Sequence, residues 1–268
     1  MIVHMVSRQQ VAAGIDVGSL SAEAVLLAGD GVIAYAIVPT GADSKRAAEK
    51  ALHAALQSAG MQFDDLAMIV ATGYGRISVP FAHKRITEIT CHGRGAFFLH
   101  PAARTVIDVG GQDSKAIRLD DKGRVLDFAM NDKCAAGTGR FLEVMAAALE
   151  VELDQLAALS AKASRGTPIS STCTVFAESE VVSLLAAGEP REEIARGLHE
   201  SVAARISSLV YRVGLEEEVI MTGGVAKNGA VVKALEEKLQ VKITVPPEPQ
   251  IAGALGAALL ARDELANA

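Results

Sequence analysis

The 268-residue sequence has no tryptophan, three tyrosines and seven phenylalanines, so aromatics make up only 4% of it. Half of the residues are hydrophobic, and the core must therefore be built from Ala, Val and Leu, which suits helices packed closely on a sheet. Cysteine is scarce as well: Cys91, Cys134 and Cys173 are an odd, sparse set that argues against a disulfide framework. No apolar run approaches the roughly 20 residues of a membrane span. Residues 1–10 lack the apolar centre of a signal peptide, and a reducing, cytoplasmic setting is expected. Positive charge is in deficit, 26 Lys and Arg against 32 Asp and Glu, which leaves no electrostatic footprint for nucleic acid. Neither G-x-x-x-x-G-K-[ST] nor G-x-G-x-x-G occurs, so the P-loop and the dinucleotide fingerprint are absent.

What is present is an internal repeat. Ile15-Asp16-Val17-Gly18 recurs 92 residues later as Ile107-Asp108-Val109-Gly110, and the offset holds through Ala24/Ala116, Leu27/Leu119 and Gly31/Gly123. Each copy reads as an apolar strand meeting Gly, a second strand, a Gly-containing turn and a third strand, a three-stranded meander. The period is too long for a solenoid and fits two duplicated domains. Helical periodicity fills the rest, over 45–58, 86–99, 139–149, 174–187, 190–213, 228–239 and 250–266. Ser44 is the expected cap of the first helix, and Pro190 is expected in the first turn of its own. Gly253 and Gly256 would let the last helix approach another backbone closely.

Three glycine turns carry candidate chemistry. A strand that ends in Asp and Gly lets backbone amides approach a phosphate while the carboxylate serves a hydrated Mg²⁺. Asp16-Val17-Gly18-Ser19 and Asp108-Val109-Gly110-Gly111-Gln112-Asp113 would be two such turns, with ordinary hairpin turns as the bland alternative. Thr222-Gly223-Gly224 closes a strand and opens a helix, a surface on which a nucleotide can pack. Cys134 and Cys173 each precede an expected helix, and a helix N-terminus favours the thiolate that binds metal. Two thiolates are too few for a [4Fe–4S] cluster, which needs four, and a twofold axis would double them. Two buried structural cysteines remain the other reading. Cys91 lies beside His92 with no second cysteine near it, and reads as a packed structural thiol.

The order of these turns, ending in the Gly-Ala-Leu-Gly-Ala of residues 253–257, resembles the α/β actin/hexokinase/Hsp70 ATPases, whose duplicated ribonuclease H-like domains flank a nucleotide cleft. Residues 1–103, with the helix 250–268 returning to them, would be the first ATPase domain, and 104–249 the second. Longer stretches are more specific. Asn131-Asp132-Lys133-Cys134-Ala135-Ala136-Gly137-Thr138-Gly139-Arg140-Phe141, Ser170-Ser171-Thr172-Cys173-Thr174-Val175-Phe176 and Ala71-Thr72-Gly73-Tyr74-Gly75-Arg76 resemble the activator (component A) family of 2-hydroxyglutaryl-CoA dehydratase. That family also includes ATPase subunits of benzoyl-CoA reductase. The resemblance runs from Gly14 to about Ala261.

The resemblance implies an ATP-hydrolysing homodimer that shares one [4Fe–4S] cluster on Cys134 and Cys173. It would take an electron from ferredoxin or flavodoxin and pass it to an anaerobic 2-hydroxyacyl-CoA dehydratase, or to benzoyl-CoA reductase subunits. By position, Gly18, Ser19, Leu20, Ser21, Gly110, Gly111, Gln112, Gly137, Thr138, Gly139, Gly223 and Gly224 become contacts to ATP or ADP. Asp16 and Asp108 become the Mg²⁺-side carboxylates, with Gln112 beside them on the catalytic side. Glu23 departs from the pattern, since activators often have Lys shortly after the first turn. Two readings from other classes stay open. A small-molecule kinase of this fold would transfer phosphate without iron, and a nucleotide-sensing module would bind ATP without turnover.

Overall fold

The computed structural model describes residues 10–131, 134–170 and 173–267. The chain divides into two compact units, Met1–Gly95 with Ile251–Ala268, and Ala96–Gln250. The boundary falls inside a helix rather than in a loop. Among the described residues no helix is long and apolar enough to cross a membrane.

The first unit opens with an antiparallel meander, β1 (Val11–Val17), β2 (Ser21–Ala28) and β3 (Gly31–Pro39), followed by helix α1 (Ser44–Ala59). Strands β4 (Leu66–Thr72) and β5 (Lys84–Arg85) add on in parallel, giving the order β3-β2-β1-β4-β5. Helix α2 (Glu88–Leu99) begins in this unit. The second unit repeats the scheme with β6 (Thr105–Val109), β7 (Ser114–Leu119) and β8 (Val125–Asn131) as its meander. Four helices intervene: α3 (Gly139–Ala148), α4 (Leu156–Ser160), α5 (Thr174–Ala186) and α6 (Arg191–Val213). Strand β9 (Val219–Thr222), helix α7 (Gly229–Leu239) and strand β10 (Ile243–Thr244) complete a sheet ordered β10-β9-β6-β7-β8. The last helix, α8 (Ala252–Ala266), belongs to the first unit. Even the irregularities repeat: the ladder slips between Leu26 and Leu27, and again between Arg118 and Leu119, 92 residues on.

Strand β1 is buried along its whole length because both of its faces are covered. Ile15 and Val17 pack with the Ala47, Ala51, Leu52 and Ala55 stripe of α1, while Ala12 joins Cys91, Ala257 and Ala261 on the opposite face. Alternation along the strand therefore turns Gly14 and Asp16 toward the α2 and α8 side. The second unit has one large core in which Ile107, Val109, Phe141, Met145, Ile194, Leu198 and Val202 meet.

Helix ends shift from the expected ones for local reasons. Asp43, not Ser44, caps α1, its carboxylate accepting from Arg46 N at 3.0 Å. Pro190 sits at the cap of α6 rather than inside its first turn. Asn228 caps α7, accepting from Ala230 N and Val231 N at 3.0 and 3.2 Å. The side-chain amide of Asn228 also donates to His199 Nε2 at 3.1 Å, which leaves His199 Nδ1–H to donate to Ala195 O at 2.7 Å. That imidazole is buried, and burial holds it below the usual histidine value of 6.5.

The glycine contacts and the buried imidazole each make a prediction. A Cβ on Gly256 would stand 1.8 Å from Cys91 O, whereas one on Gly229 meets nothing within 4 Å. Gly256→Ala should therefore destabilise by about 2 kcal/mol or more, and Gly229→Ala should be neutral or slightly stabilising, as read from urea midpoints. The second concerns pH. His199 folds neutral with a lowered pKa, so the unfolded chain takes up the extra proton first. Its contribution is fully present above about pH 6.5 and is lost as pH falls below that value. Between about pH 7.5 and pH 5, His199→Gln should lose less stability than wild type, whatever its starting value. An equal acid loss in both proteins contradicts the assignment.

Candidate functional site

The turn from β1 to β2 is held tightly at its base. Gly18 N–H donates to Ser21 O at 2.9 Å, Thr40 N–H donates to Leu20 O at 2.9 Å, and Thr40 Oγ1 donates to Gly18 O at 2.9 Å. Ser19, Leu20 and Ser21 are partly exposed at its tip. Asp16, 7% exposed, lies directly opposite Glu23 in the ladder, and its Oδ2 is 3.5 Å from His92 Nε2. Glycine is required beside it: a Cβ on Gly253 would fall 2.0 Å from Asp16 Oδ2, and one on Gly73 2.2 Å from Asp16 Oδ1.

The counterpart turn in the second unit runs from Gly110 to Asp113 and closes by Gly110 N–H donating to Asp113 O at 3.0 Å. Gln112 is exposed at its tip, with Gly110 and Gly111 partly covered. Asp108 is 1% exposed, and both of its oxygens are engaged. Thr222 Oγ1 donates to Oδ1 at 2.8 Å, while Lys115 Nζ lies 3.3 Å from Oδ2. Lys115, 2% exposed, also reaches Asp113 Oδ2 at 2.7 Å. A cation so enclosed is held by two carboxylates, an arrangement in which burial is repaid by pairing. Lys115 stands in the ladder opposite Asp108 as Glu23 stands opposite Asp16, so the repeat inverts the charge of this one position.

The third turn follows β9. Gly223 takes φ of 85°, and a Cβ there would lie 2.3 Å from Val109 O. Only glycine lets the turn approach the end of β6 this closely. Gly224 begins a 3-10 turn to Lys227, whose Nζ is 2.9 Å from Glu248 Oε1. Gly73 does the same work after β4, with φ of 82°. Thr72-Gly73 and Thr222-Gly223 are thus repeat counterparts, each Thr paired in its ladder with the Asp of its own unit.

The thiols differ sharply. Cys91 is wholly buried, and burial pushes its thiol up to about 12, so it is an inert packing group. Cys134 and Cys173 form no disulfide and are partly exposed. Cys173 is the cap residue of α5, its carbonyl accepting from Ala177 N at 2.9 Å. Cys134 is farther from its helix, because Ala135 to Thr138 intervene before α3. Asp132, Lys133, Ser171 and Thr172 of the cysteine motifs lie outside the described residues.

The segment after Cys134 differs from expectation in what it offers a phosphate. Thr138 is fully buried, and its hydroxyl donates to Ala135 O. The leading amides of α3 are also engaged, Gly139 N–H with Gly110 O at 2.9 Å and Arg140 N–H with Gly111 O at 2.8 Å. Gly137, at φ of 82°, packs against the side chain of Arg205. Gly139 and Arg140 are therefore joined to the Gly110–Asp113 turn by backbone bonds, and the Gly139 amide and Thr138 hydroxyl are engaged internally. Among the described residues no group of three or more His, Cys, Asp or Glu side chains could hold a metal ion.

Comparison with known proteins fits this arrangement. The chain is 55% identical to the activator of lactoyl-CoA dehydratase from Anaerotignum propionicum over 92% of its length and 96% of that protein. It superposes on the crystal structure of component A of the Acidaminococcus fermentans (R)-2-hydroxyglutaryl-CoA dehydratase with a TM-score of 0.92 and 47% identity, covering 96% of this chain and 99% of that one. The Clostridium difficile activator of 2-hydroxyisocaproyl-CoA dehydratase with bound ADPNP matches with a TM-score of 0.92 and 45% identity, over 96% of both chains. One of the benzoyl-CoA reductase subunits of Thauera aromatica is 34% identical over 93% of this chain and 92% of that one. Likeness to a ROK-family glucokinase from Streptomyces griseus (TM-score 0.58, 13% identity, 94% and 99% covered) extends to the fold alone. The model of the BadF/BadG/BcrA/BcrD ATPase family matches residues 13–261, and the chain belongs to that family.

Proposed function

We propose that this protein is an ATP-dependent one-electron donor that activates a 2-hydroxyacyl-CoA dehydratase. The observation that carries the reading is the join between the Gly110–Asp113 turn and the segment that follows Cys134. A phosphate-sized turn and an accessible thiol on one hydrogen-bonded frame provide a path between nucleotide and electron. Identity of 55% to a dehydratase activator, against 34% to a benzoyl-CoA reductase subunit, favours a dehydratase as the partner.

Cys134 and Cys173 are two partly exposed thiols outside any disulfide, half the set that a [4Fe–4S] cluster requires. A homodimer doubles them about its twofold axis, so one cluster per homodimer fits the donors present. Bound there, the cluster would supply a single low-potential electron, drawn from ferredoxin or flavodoxin. The α5 amides above Cys173 lie at the positive end of that helix and favour the thiolate.

ATP and ADP fall to the glycine turns. Ser19, Leu20 and Ser21 in one unit, and Gly111 and Gln112 in the other, would present amides and side chains to phosphate, while Gly18 and Gly110 shape the two turns by closing them on Ser21 O and Asp113 O. Gly223 and Gly224 would lie against the adenosine. Asp16 and Asp108, buried and already paired, would be the carboxylates on the Mg²⁺ side, where the ion would offset phosphate charge. Lys115 holds Asp108 and Asp113 in place, and exposed Gln112 orients the attacking water. Gly137, Thr138 and Gly139 would follow the state of that turn through the bonds of Gly139 N–H and Arg140 N–H to Gly110 O and Gly111 O.

Anaerobic reconstitution with iron and sulfide tests the reading. Four iron atoms per dimer are expected in wild type and in Cys91→Ser, with loss of the cluster in Cys134→Ser and in Cys173→Ser. Four iron atoms per monomer, or an intact cluster in Cys173→Ser, would overturn the shared site. In parallel, Asp108→Asn should keep the fold and lower phosphate release by about a hundredfold. Wild-type turnover in that variant would remove Asp108 from the catalytic set.

A further inference from the structure

Ser114 and Asn131 face each other across the β7–β8 ladder, so their side chains emerge side by side on one face of the sheet. Ser114 is also the residue that follows the Gly110–Asp113 turn, and it is buried. Its hydroxyl donates to Gly137 O at 2.8 Å. The amide of Asn131 donates to Cys134 O at 2.9 Å and leans toward Ala136 O at 3.4 Å. Two side chains thus hold three backbone carbonyls of an irregular segment, the one that begins at Cys134. The far end of the segment is fixed separately, by Gly139 N–H and Arg140 N–H on Gly110 O and Gly111 O. Residues 134–140 are therefore held at one end by Asn131 of β8 and at the other by the turn, and Arg205 closes the middle against Gly137.

We propose that Ser114 and Asn131 form a clamp that transmits the conformation of the Gly110–Asp113 turn to Cys134. They are positioning residues, and the assignment rests on the reading that this turn meets phosphate and that Cys134 is a metal-binding thiol. Alternation along β7 makes the device specific. Lys115 points to the opposite face and holds Asp108 and Asp113, while Ser114 points to the Cys134 side. A displacement of the turn that shifts Asp113 shifts Ser114 with it, because the two are adjacent in the chain. Gly137 O and Cys134 O then follow or lose their donors. A carbonyl left without a donor is disfavoured, so the segment moves with the turn rather than independently of it.

The test reads thiol chemistry rather than activity. In iron-free full-length protein, alkylation of Cys134 and Cys173 by iodoacetamide is followed by mass spectrometry, with ADPNP, with ADP and without nucleotide. The wild-type rate at Cys134 should change between the two nucleotides. Ser114→Ala and, separately, Asn131→Leu should raise the Cys134 rate about fivefold, the effect of one hydrogen bond of ordinary strength. Both should abolish its nucleotide dependence and leave ADPNP affinity and the Cys173 rate unchanged. Asn131→Leu keeps the approximate size and removes the amide donors without adding charge, so it stands if Ser114→Ala disturbs the core. Wild-type rates and nucleotide response in both variants overturn the clamp. Equal acceleration at Cys134 and Cys173 overturns it too, since that is general loosening. A wild-type Cys134 rate indifferent to nucleotide also contradicts it. Iron content in Cys134→Ser answers separately for the ligand reading, and the alkylation experiment does not depend on it.

Discussion

Helix α3 begins by giving away its first amides. Gly139 N–H and Arg140 N–H would ordinarily meet water, a capping side chain or an anion, since the first amides of a helix lack partners within it. Here they meet the carbonyls of Gly110 and Gly111. The helix end and the turn are therefore one rigid body, and the short segment carrying Cys134 hangs from it. Everything proposed for the chain depends on this join. A turn that changes with the phosphates bound to it takes the helix end along. Without those two bonds only the Ser114 and Asn131 side chains would relate the turn to the thiol.

The duplicated sheet explains why such a frame can be stiff. Strand β6, like β1, is buried from end to end and carries a buried Asp as its penultimate residue. In the second unit that Asp is tied by Thr222 and Lys115, and in the first Asp16 faces His92 and Glu23. The same topology thus presents a buried ion pair of opposite charges in one copy and two buried carboxylates beside a histidine in the other. A buried pair contributes little net stability, yet removing one partner is costly, which keeps the Lys115 ammonium fixed under its turn.

Much of this was legible in the sequence where the chain obeys a local rule. The two meanders could be read because strand, Asp-x-Gly turn and second strand recur at one offset, and the helices because their apolar spacing is regular. The pairing of Thr72-Gly73 with Thr222-Gly223 escaped because the second unit inserts α3 to α6 ahead of β9, which breaks the constant offset. The partners of Asp108 escaped because a sequence does not announce that position 115 faces inward with position 108. The internal partners of Gly139 and Thr138 escaped for a similar reason. A glycine before a helix looks like an open anion site until the carbonyls that fill it, 29 residues back for Gly139, are located. Asp43 displaced Ser44 as a cap by one residue, a choice between two good acceptors that only backbone angles settle.

The central claim is that nucleotide state at the glycine turns alters the surroundings of the cysteines. The most direct measurement is the rate at which a strong chelator strips iron from the reconstituted protein under anaerobic conditions, with ADP and with ADPNP. A ligand moves a conformational equilibrium only as far as its affinity differs between the states, so the two nucleotides must give different rates. The account predicts rates that differ by about tenfold, and electron delivery to a dehydratase that requires ATP. Identical rates with ADP and ADPNP, together with delivery in the absence of ATP, would contradict it.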